Sequence, residues 1–361
     1  MYKYNKLVEQ LLEDFSTLPP NSRILSRTAL CKKYRISRTT ADRAMSILRK
    51  KRVIDTKVGN GSFLTAEFSQ QSHLSDNIIH TWGVIMPNIM LNPFPGILRG
   101  IEDVAQENGI NTIICNTDYS AEREQQYITR LIASNVAGVI IVPSLYPRIN
   151  IKGFHMLLKN RIPCVFCNRG VDELGTVPYV SCNNFYGGYI AAKHLLDRGY
   201  RKLGFLSAIR FQTSIDRLNG FCAALNEAQI PIDFDNLVPQ TTDSNESDVS
   251  PTLRTLLKKK DRPDAIFCHN DIIARQVYDV ATELGLRISD DIGVIGFDNS
   301  IEIALSATPQ LTSISFEEYA IGHKAAELLL SMIQKGISDK PDICLFQPRL
   351  IQRDSCLGPK S

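Results

Sequence analysis

Short apolar segments alternate with longer amphipathic segments through most of this chain. Trp82–Met86, Gly138–Val142 and Ala265–Cys268 are apolar runs bounded by turn residues, and each is typical of a strand buried on both faces. The segments between them, such as Gly96–Asn108 and Asp271–Leu284, carry apolar residues at helical spacing. Strands that alternate with helices form parallel sheets covered by helices. Because the strands are too many for one sheet of usual size, the pattern predicts two similar α/β lobes.

The chain has 361 residues, which is enough for two or three domains and a large buried core. It contains no apolar run near the ~20 residues that a membrane-spanning helix needs. The first 20 residues include acidic side chains and lack the apolar core of a secretory signal. We therefore expect a cytoplasmic protein with no membrane partner.

The net charge of +3 is the sum of two unlike segments. Residues 1–67 contain 14 Lys and Arg against 6 Asp and Glu, a net charge of +8. The other 294 residues contain 27 against 32, a net charge of −5. A basic segment on a mildly acidic body indicates a nucleic-acid-binding head attached to a body with another task.

Nine cysteines, an odd number, are scattered through apolar segments, as is usual in a reducing compartment. The one C-x-x-C motif runs from Cys164 to Cys167, within a predicted strand. Residues three apart on a strand point to opposite faces, so these two thiols are not expected to share a metal or form a disulfide. No second motif or nearby histidine completes a zinc site, and we predict neither a metal nor a cofactor.

The basic segment has the local signals of a winged helix-turn-helix, an α+β fold that binds DNA. Ser26 and Ser37 are good N-caps for two short helices, with Arg35 and Ile36 in a tight turn between them. Gly59–Asn60–Gly61 lies between two runs of β type, which indicates a hairpin. The predicted elements are helices at 3–16, 27–34 and 38–52 and strands at 53–57 and 62–65.

Two short helices joined by a tight turn allow the second helix to lie in the major groove of DNA. Its first turn, residues 37–40, offers hydroxyl groups, a guanidinium and free backbone N–H groups that hold phosphates and read bases. Glycine at the wing tip permits close approach, and Lys57 would then reach a phosphate or the minor groove. Each signal alone also fits a capped helix or a solvated surface. Together, in this order, they favour binding to double-stranded DNA.

The run ISRTTADRAMSILRKKRVIDTKVGNGSFL resembles the recognition helix and wing of GntR-type transcription regulators, and the resemblance covers about residues 3–67. Thr28 and Asp42 stand where that family often has arginine. Because phosphates repel a carboxylate, Asp42 is expected either to accept from a cytosine amine or to face away. The resemblance implies base and phosphate contacts at Arg38, Thr39, Thr40, Gly59, Asn60 and Gly61. The predicted DNA-binding residues also include Arg27, Thr28, Ser37, Arg43 and Lys57.

Residues 66–80 are polar and rich in Ser and Gln, as in a linker. We assign the head to residues 1–67, the linker to 68–80 and the body to 81–356. Ligands of open parallel sheets bind beyond the carboxyl ends of the strands, and here those positions are rich in Asn, Asp and Arg. Such groups bind polyhydroxyl ligands, although at any one position turn formation explains them equally well. The candidate effector-binding residues are Phe94, Ser144, Asn168, Arg169, Thr213, Arg217, Asn270 and Asp298.

The motifs GVIMPN, NPFPGILRGIEDVA, IPCVFCNR, DRLNGF, PDAIFCHNDIIA and DIGVIGFDNS resemble the effector domain of LacI-type repressors and periplasmic ribose-binding proteins, over about residues 81–356. The resemblance implies effector contacts at all the candidates except Ser144, with Asn168 where aspartate is common. The whole chain resembles GntR–LacI hybrid repressors that respond to arabinose. The implied periplasmic-binding-protein-like domain has lobes at 81–181 with 311–340 and at 183–309 with 342–356, hinged at crossings near 182, 310 and 341.

These features predict a ligand-responsive transcription regulator, a repressor of carbohydrate-utilisation genes with a monosaccharide effector. The alternative is a purine or other non-sugar effector, and a purine would need more aromatic stacking than Phe94 provides. An α/β enzyme is disfavoured because phosphate-binding, zinc-protease and nucleophile-elbow motifs are lacking in the sequence. The basic head argues against a transport binding protein. We expect a homodimer formed through Gly96–Asn108 and Ala121–Ser134 of the first lobe.

Overall fold

The computed structural model describes residues 3–16, 18–19, 21–57, 61–65, 81–145, 148–207, 212–239, 248–337 and 340–359. The chain divides into two compact units, Met1–His80 and Thr81–Ser361, and the second begins where the effector domain is predicted to begin. The predicted linker at 68–80 lies outside the described residues. None of the helices that the structure describes is long and apolar enough to cross a membrane.

The described part of the first unit contains three helices and a two-stranded antiparallel hairpin: α1 (Lys3–Ser16), α2 (Arg27–Tyr34), α3 (Arg38–Lys50), β1 (Ile54–Lys57) and β2 (Gly61–Leu64). The hydroxyl oxygens of Ser26 and Ser37 accept hydrogen bonds from the N–H groups of Ala29 and Thr40, which confirms both predicted N-caps. Arg35 has a left-handed conformation (φ 48°) in the tight turn between α2 and α3. The third helix ends slightly before the predicted Arg52.

Apolar side chains at helical spacing build the core of the first unit. Leu11 of α1, Leu30 of α2, Leu48 of α3 and Leu64 of β2 are all buried in one cluster. Burial of side chains from every element of the unit stabilises the arrangement of the helices and the hairpin. The short helix α2 and the longer α3 are thereby held in a fixed relation, with the first turn of α3 exposed.

In the second unit, the sequence pattern does not predict the helix at 151–159 or the elements after residue 300. This unit alternates strands and helices along nearly its whole length. Its elements are β3 (Thr81–Met86), α4 (Phe94–Glu107), β4 (Asn111–Asn116), α5 (Ala121–Ala133), β5 (Gly138–Ile141), α6 (Ile151–Lys159), β6 (Cys164–Cys167), β7 (Tyr179–Cys182), α7 (Asn184–Asp197), β8 (Leu203–Ser207), α8 (Gln212–Glu227), β9 (Leu237–Pro239), α9 (Ser250–Leu257), β10 (Ala265–Cys268), α10 (Asp271–Glu283), β11 (Gly293–Phe297), α11 (Ile301–Ser306), β12 (Thr312–Ser315), α12 (Glu318–Lys335), β13 (Ile343–Phe346) and β14 (Arg349–Ile351).

The described strands of the second unit form two six-stranded sheets, one in each lobe. In the first lobe the strand order is β13-β7-β6-β5-β3-β4, and every neighbouring pair is parallel. In the second lobe the order is β14-β12-β11-β10-β8-β9, and β14 alone among these strands is antiparallel to its neighbour. The prediction of two similar α/β lobes is confirmed.

The central strands are buried on both faces and place alternate side chains in different cores. Val139 and Ile141 of β5 pack in one cluster, and Ile140 between them packs in the cluster on the other face. Cys164 and Cys167 of β6 are divided between the same two clusters, and both are free thiols. The predicted separation of the C-x-x-C pair is therefore confirmed.

Two of the three predicted crossings between the lobes are wrong by several residues. The first, near residue 182, agrees with the passage from β7 to α7. The strand β12 pairs with β11, so residues 312–315 belong to the second lobe and the chain crosses after them, not near 310. The strand β13 pairs with β7, so the last crossing follows Phe346, not residue 341. The sequence pattern does not predict these strands, because backbone pairing, not local composition, assigns each segment to its sheet.

Candidate functional site

Arg217 is the best-anchored polar residue of the second lobe. Its side chain is buried, and its Nε donates a 2.9 Å hydrogen bond to Oδ1 of Asn184. A terminal amino group donates to the carbonyl oxygen of His269, and another lies 3.8 Å from Oδ1 of Asp298. The guanidinium carbon is 3.4 Å from the centroid of the Phe297 ring. Contacts with four residues thus fix the guanidinium in one position, as a pre-formed ligand site requires.

Close packing of α7 against α8 determines the position of Arg217. A Cβ atom on Gly188 of α7 would lie 1.9 Å from the carbonyl oxygen of Arg217, and one on Gly220 of α8 would lie 1.8 Å from that of Phe185. Only glycine therefore permits this distance between the two backbones. Burial lowers the pKa of Arg217, and the charge of Asp298 opposes that effect. The guanidinium remains charged, since its ordinary pKa is far above neutrality.

Two carboxyl groups of the second lobe act on each other: Asp271 is buried at the start of α10, and Asp298 is half-buried just after β11. Burial raises the pKa of Asp298 to about 7, while the charges of Arg217 and of Arg169 from the first lobe lower it. Burial and the charge of Asp298 raise the pKa of Asp271 to about 8. Asp271 accepts hydrogen bonds from Oγ of Ser313 (2.7 Å) and from the N–H of Ser300 (2.6 Å). Asp271 therefore holds the loop that follows β11, and with it Asp298.

Thr213 and Asn270 occupy the same end of the second lobe. Thr213 is buried and lies one turn before Arg217 on α8. Asn270 is the N-cap of α10, and its Oδ1 accepts a 2.9 Å hydrogen bond from the N–H of Ile273. The sequence analysis allowed that Asn270 serves local backbone structure rather than a ligand. In the structure its Oδ1 does serve the backbone, because it caps the start of α10.

Arg169 is the counterpart of Arg217 in the first lobe, and aromatic rings flank it. Its guanidinium carbon is 5.7 Å from the ring centroid of Phe94 and 5.9 Å from that of Tyr119. A terminal amino group donates a long bond of 3.5 Å to the carbonyl oxygen of Pro143. Phe94, at the start of α4, is 1% exposed, so its ring faces Arg169 and the core. Burial lowers the pKa of Arg169.

Ser144 and Asn168 are buried at the strand ends of the first lobe. The hydroxyl of Ser144 is 3.2 Å from that of Thr117, and its N–H donates to Oε2 of Glu124 at 2.8 Å. Burial raises the pKa of Glu124 to about 7. Asn168 has a positive φ of 62°, and its carbonyl oxygen accepts from the hydroxyl of Ser181 at 2.8 Å. The hydroxyl of Ser144 thus has a local partner, whereas the backbone of Asn168 is committed to the sheet.

Three of the predicted site residues influence one another across the two lobes: Arg169 in the first lobe and Arg217 and Asp298 in the second. The charges of both arginines act on Asp298, although they belong to different lobes. The sequence analysis did not identify Tyr119 and Glu318 as residues near this site. Burial and, to a smaller extent, the charge of Asp298 raise the pKa of Glu318 to about 7. Tyr119 follows the end of β4, so the same strand-end rule could have found it. Glu318 follows a crossing that the sequence misplaced.

The first turn of α3 presents the predicted DNA-contacting groups of the head. Arg38 and Thr39 are exposed, and Oγ of Ser37 is 2.9 Å from Oγ1 of Thr40. Arg43 is exposed one turn further along the helix. A groove of about 1120 Å³ in this unit has Arg23, Arg27, Thr28, Arg38 and Gly61 among its lining residues. Cations and hydroxyl groups therefore surround the start of α3.

Some predicted head contacts lie outside the described residues or have a partner in the protein. Gly59 and Asn60 are not described, and of Lys57 the structure describes only the backbone, in β1. Gly61 begins β2 with φ 101°, a conformation that favours glycine. Nε of Arg27 lies 2.7 Å from Oδ1 of Asp42. Asp42 was expected either to accept from a cytosine or to face away from DNA. The structure shows a third arrangement, an ion pair with Arg27, which is itself a predicted DNA contact.

Known proteins resemble the chain over its body and, in some cases, over its whole length. A family model described as a periplasmic binding protein-like domain matches residues 192–356. The "Arabinose metabolism transcriptional repressor" of Geobacillus stearothermophilus is 28% identical over 360 residues, 98% of this chain and 97% of the relative. The "HTH-type transcriptional repressor PurR" of Photorhabdus laumondii is 33% identical over 268 residues, 74% of this chain and 77% of the relative.

A solved structure has the fold of the second unit. The LacI family transcriptional regulator from Enterococcus faecium, with bound ribose, is 28% identical with a TM-score of 0.66. The match covers 78% of this chain and all of the solved chain. These relatives are regulators rather than enzymes, which agrees with the missing catalytic motifs. The chain belongs to the LacI family of transcription regulators, ligand-responsive repressors with a periplasmic-binding-protein-like effector domain.

Proposed function

We propose that this repressor binds a monosaccharide between the two lobes of its second unit and controls genes of carbohydrate use. The observation that carries the proposal is the placement of two buried arginines near Asp298: Arg217 lies 3.8 Å from its carboxyl group, and the charge of Arg169 lowers its pKa. A polyhydroxyl ligand donates to a carboxylate and accepts from guanidinium groups through the same hydroxyls. Arg217 and the loop that carries Asp298 are held in place before the ligand arrives, which lowers the entropic cost of binding.

The names of two similar proteins support a sugar. One relative is named an arabinose metabolism repressor, and one solved regulator holds ribose. The proposed contacts are Phe94, Asn168, Arg169, Thr213, Arg217 and Asp298, with Ser144 and Asn270 supporting the loops that carry them. Tyr119 joins this set because its ring flanks Arg169.

Effector binding would close the lobes on a hinge formed by the three crossings. In a homodimer, joined through Gly96–Asn108 and Ala121–Ser134, closure changes the distance between the two heads. Affinity for an operator with two half-sites depends on that distance. Effector and DNA then alter each other's affinity by the same factor, as linkage requires.

The head is proposed to be a winged helix-turn-helix of GntR type that binds double-stranded operator DNA. The order of its elements, two capped helices and a hairpin with a glycine-containing end, supports this assignment. The extents of the two sequence similarities also support it. The arabinose repressor matches nearly all of this chain, whereas the match to PurR is about as long as the second unit alone.

A purine effector is the second candidate, and one observation favours it. Phe94 and Tyr119 both flank the guanidinium of Arg169, which gives the first lobe two aromatic rings where the sequence predicts one. Planar bases stack on such rings. Phe94 is almost fully buried, however, so Tyr119 offers a ligand more ring surface for stacking than Phe94 does. A sugar remains the better fit to the three charged groups.

A thermal-shift screen distinguishes the two candidates. Pentoses, hexoses and purine bases are added at 10 mM or at their solubility limit to wild type and to Asp298→Asn. Because a ligand that binds only the native state raises the melting temperature, a matching sugar should raise that of wild type by several degrees and that of the variant much less. A shift with a purine alone would reject the sugar proposal. An equal shift in the variant would remove Asp298 from the site.

A further inference from the structure

Arg27 and Asp42 form an ion pair that joins the two helices of the helix-turn-helix. Arg27 is the first residue of α2, and its position is fixed by the Ser26 N-cap. Asp42 lies on α3, one turn after Arg38 and on the same side of the helix. The closest approach, 2.7 Å, is between Nε of Arg27 and Oδ1 of Asp42. The carboxylate therefore faces the inner edge of the guanidinium.

The pair lies at the protein surface, where it adds little to folding stability. The side chains are 44% and 49% exposed. Exposed ion pairs of this kind contribute little because solvent screens them and holding two side chains costs entropy. The same exposure leaves the outer edge of the guanidinium, with its two terminal amino groups, open to an external acceptor.

The chemistry of the pair favours a neutral acceptor over a phosphate. A carboxylate within 3 Å cancels most of the attraction of Arg27 for a phosphate and itself repels that phosphate. The donor geometry of the outer edge is unaffected by this cancellation. Two parallel N–H groups match the O6 and N7 acceptors of guanine in the major groove. A carboxylate-held arginine thus loses non-specific attraction and keeps its ability to read a base.

The position of Arg27 agrees with this role. Arg27 and Arg38 line the same groove of the head, and Arg38 is in the first turn of the proposed recognition helix. A residue at the start of α2 would reach the groove of DNA only if its side chain extends toward α3. Asp42 holds it in that direction.

We propose that Asp42 is a positioning residue that holds the outer edge of Arg27 against a guanine in the operator half-site. The inference deepens the proposed DNA-binding function of the head and depends on it. Asp42 contributes no attraction to DNA, and it increases the ratio between the affinities for the right and the wrong base. Its expected energetic signature is a change of specificity without a loss of overall affinity.

The experiment uses the full-length protein and a duplex selected from a random pool by the wild type. Affinity is measured for this duplex and for duplexes in which each guanine in turn is replaced by 7-deazaguanine, which lacks the N7 acceptor. Wild type should lose about 10-fold in affinity at one guanine of each half-site. Asp42→Asn and Arg27→Lys should reduce that ratio to about 2-fold or less. Thermal melting of each variant verifies that the head remains folded.

Asp55→Asn is the matched control, since it removes one negative charge from the exposed surface of the same head. It should keep the 10-fold ratio and bind every duplex slightly more tightly. The proposal is overturned if Asp42→Asn behaves like this control, or if no guanine of the site is sensitive in wild type. Arg38→Ala separates the two levels of inference: if it too leaves affinity for the selected duplex unchanged, the assignment of the head itself fails.

Discussion

The two lobes of the effector domain share a scaffold but hold their arginines differently. Each has a sheet of mainly parallel strands and a pair of helices in close contact at glycines, Gly100 and Gly322 in the first lobe and Gly188 and Gly220 in the second. Arg217 of the second lobe is fixed by a side-chain amide, a backbone carbonyl and a carboxyl group. The contacts of Arg169 in the first lobe include two aromatic rings, a side-chain hydrogen bond with one of them, Tyr119, and a long hydrogen bond to the carbonyl oxygen of Pro143.

The difference separates an anchoring lobe from a covering lobe. A guanidinium tied by several hydrogen bonds keeps its position without a ligand, so the second lobe is prepared for binding. Arg169 lies near two aromatic rings, and cation–π attraction tolerates a range of geometries. We therefore expect the second lobe to supply most of the effector affinity and the first lobe to complete the site on closure.

The largest expected effect is the contrast between the two arginines. Arg217→Ala leaves the side-chain oxygen of Asn184 and the carbonyl oxygen of His269 without their donor. It also removes the guanidinium that lies 3.8 Å from the carboxyl group of Asp298. Effector affinity should fall more than 100-fold, or about 3 kcal/mol. Arg169→Ala should lower it about 10-fold. Isothermal titration with the sugar found by the thermal screen measures both, and equal losses would contradict the division into anchoring and covering lobes.

The next largest effect is expected from glycines at the close helix contact that both lobes contain. Gly188→Ala places a methyl group 1.9 Å from the carbonyl oxygen of Arg217, so α8 must move. We expect about 2–3 kcal/mol of lost stability in urea unfolding and weaker effector binding, because Arg217 moves with its helix. Gly100→Ala makes the equivalent clash with Tyr319 in the first lobe. It should lower stability similarly and affect effector affinity less. Equal effects on affinity would mean that Gly188 does not position Arg217 specifically.

The smallest effect concerns pH. Burial raises the pKa of Asp271 to about 8 and that of Asp298 to about 7, so the folded state binds protons that the unfolded state has released above about pH 4. The contribution of these two groups to the free energy of unfolding should therefore be largest below about pH 4, fall as pH rises from there, and level off above about pH 8. Asp271→Asn should reduce this fall by on the order of 2 kcal/mol between pH 5 and pH 8.

Urea unfolding across that pH range measures the effect. Glu124→Gln in the first lobe is the matched variant, since burial raises the pKa of Glu124 to about 7. Its effect should be smaller, because Glu124 lacks a second carboxyl group of the kind that Asp298 provides for Asp271. A pH dependence that is unchanged in Asp271→Asn would show that this carboxyl group is ionised in both states.

The periodic parts of the fold were predictable from local sequence. Apolar runs such as that of β5 and serine N-caps such as Ser26 and Ser37 act over a few residues, so their outcome does not depend on distant partners. The placement of β12 and β13 was not predictable in this way. Each is a short strand whose lobe is decided by the neighbour with which its backbone pairs, and that neighbour is far away in the sequence.

The same limit applies to the site. The strand-end rule indicated Arg169, Arg217 and Asp298, because the sense of parallel strands brings such positions to one edge. It could not reveal that Asn184 orients Arg217, since these residues are joined only by the contact between α7 and α8. Nor could it show that Asp42 pairs with Arg27, because a carboxylate on a basic helix has no sequence signal that names its partner.

The sequence by itself determined the kinds of element, the basic head on an acidic body, and the family to which the chain belongs. These follow from periodicity, charge and motif order, which are properties of neighbouring residues. The tertiary structure alone decided which strand completes which lobe, which arginine is anchored, and how far burial raises the pKa of the carboxyl groups. Those properties depend on distance and on exclusion of water, and both arise only when remote segments pack together.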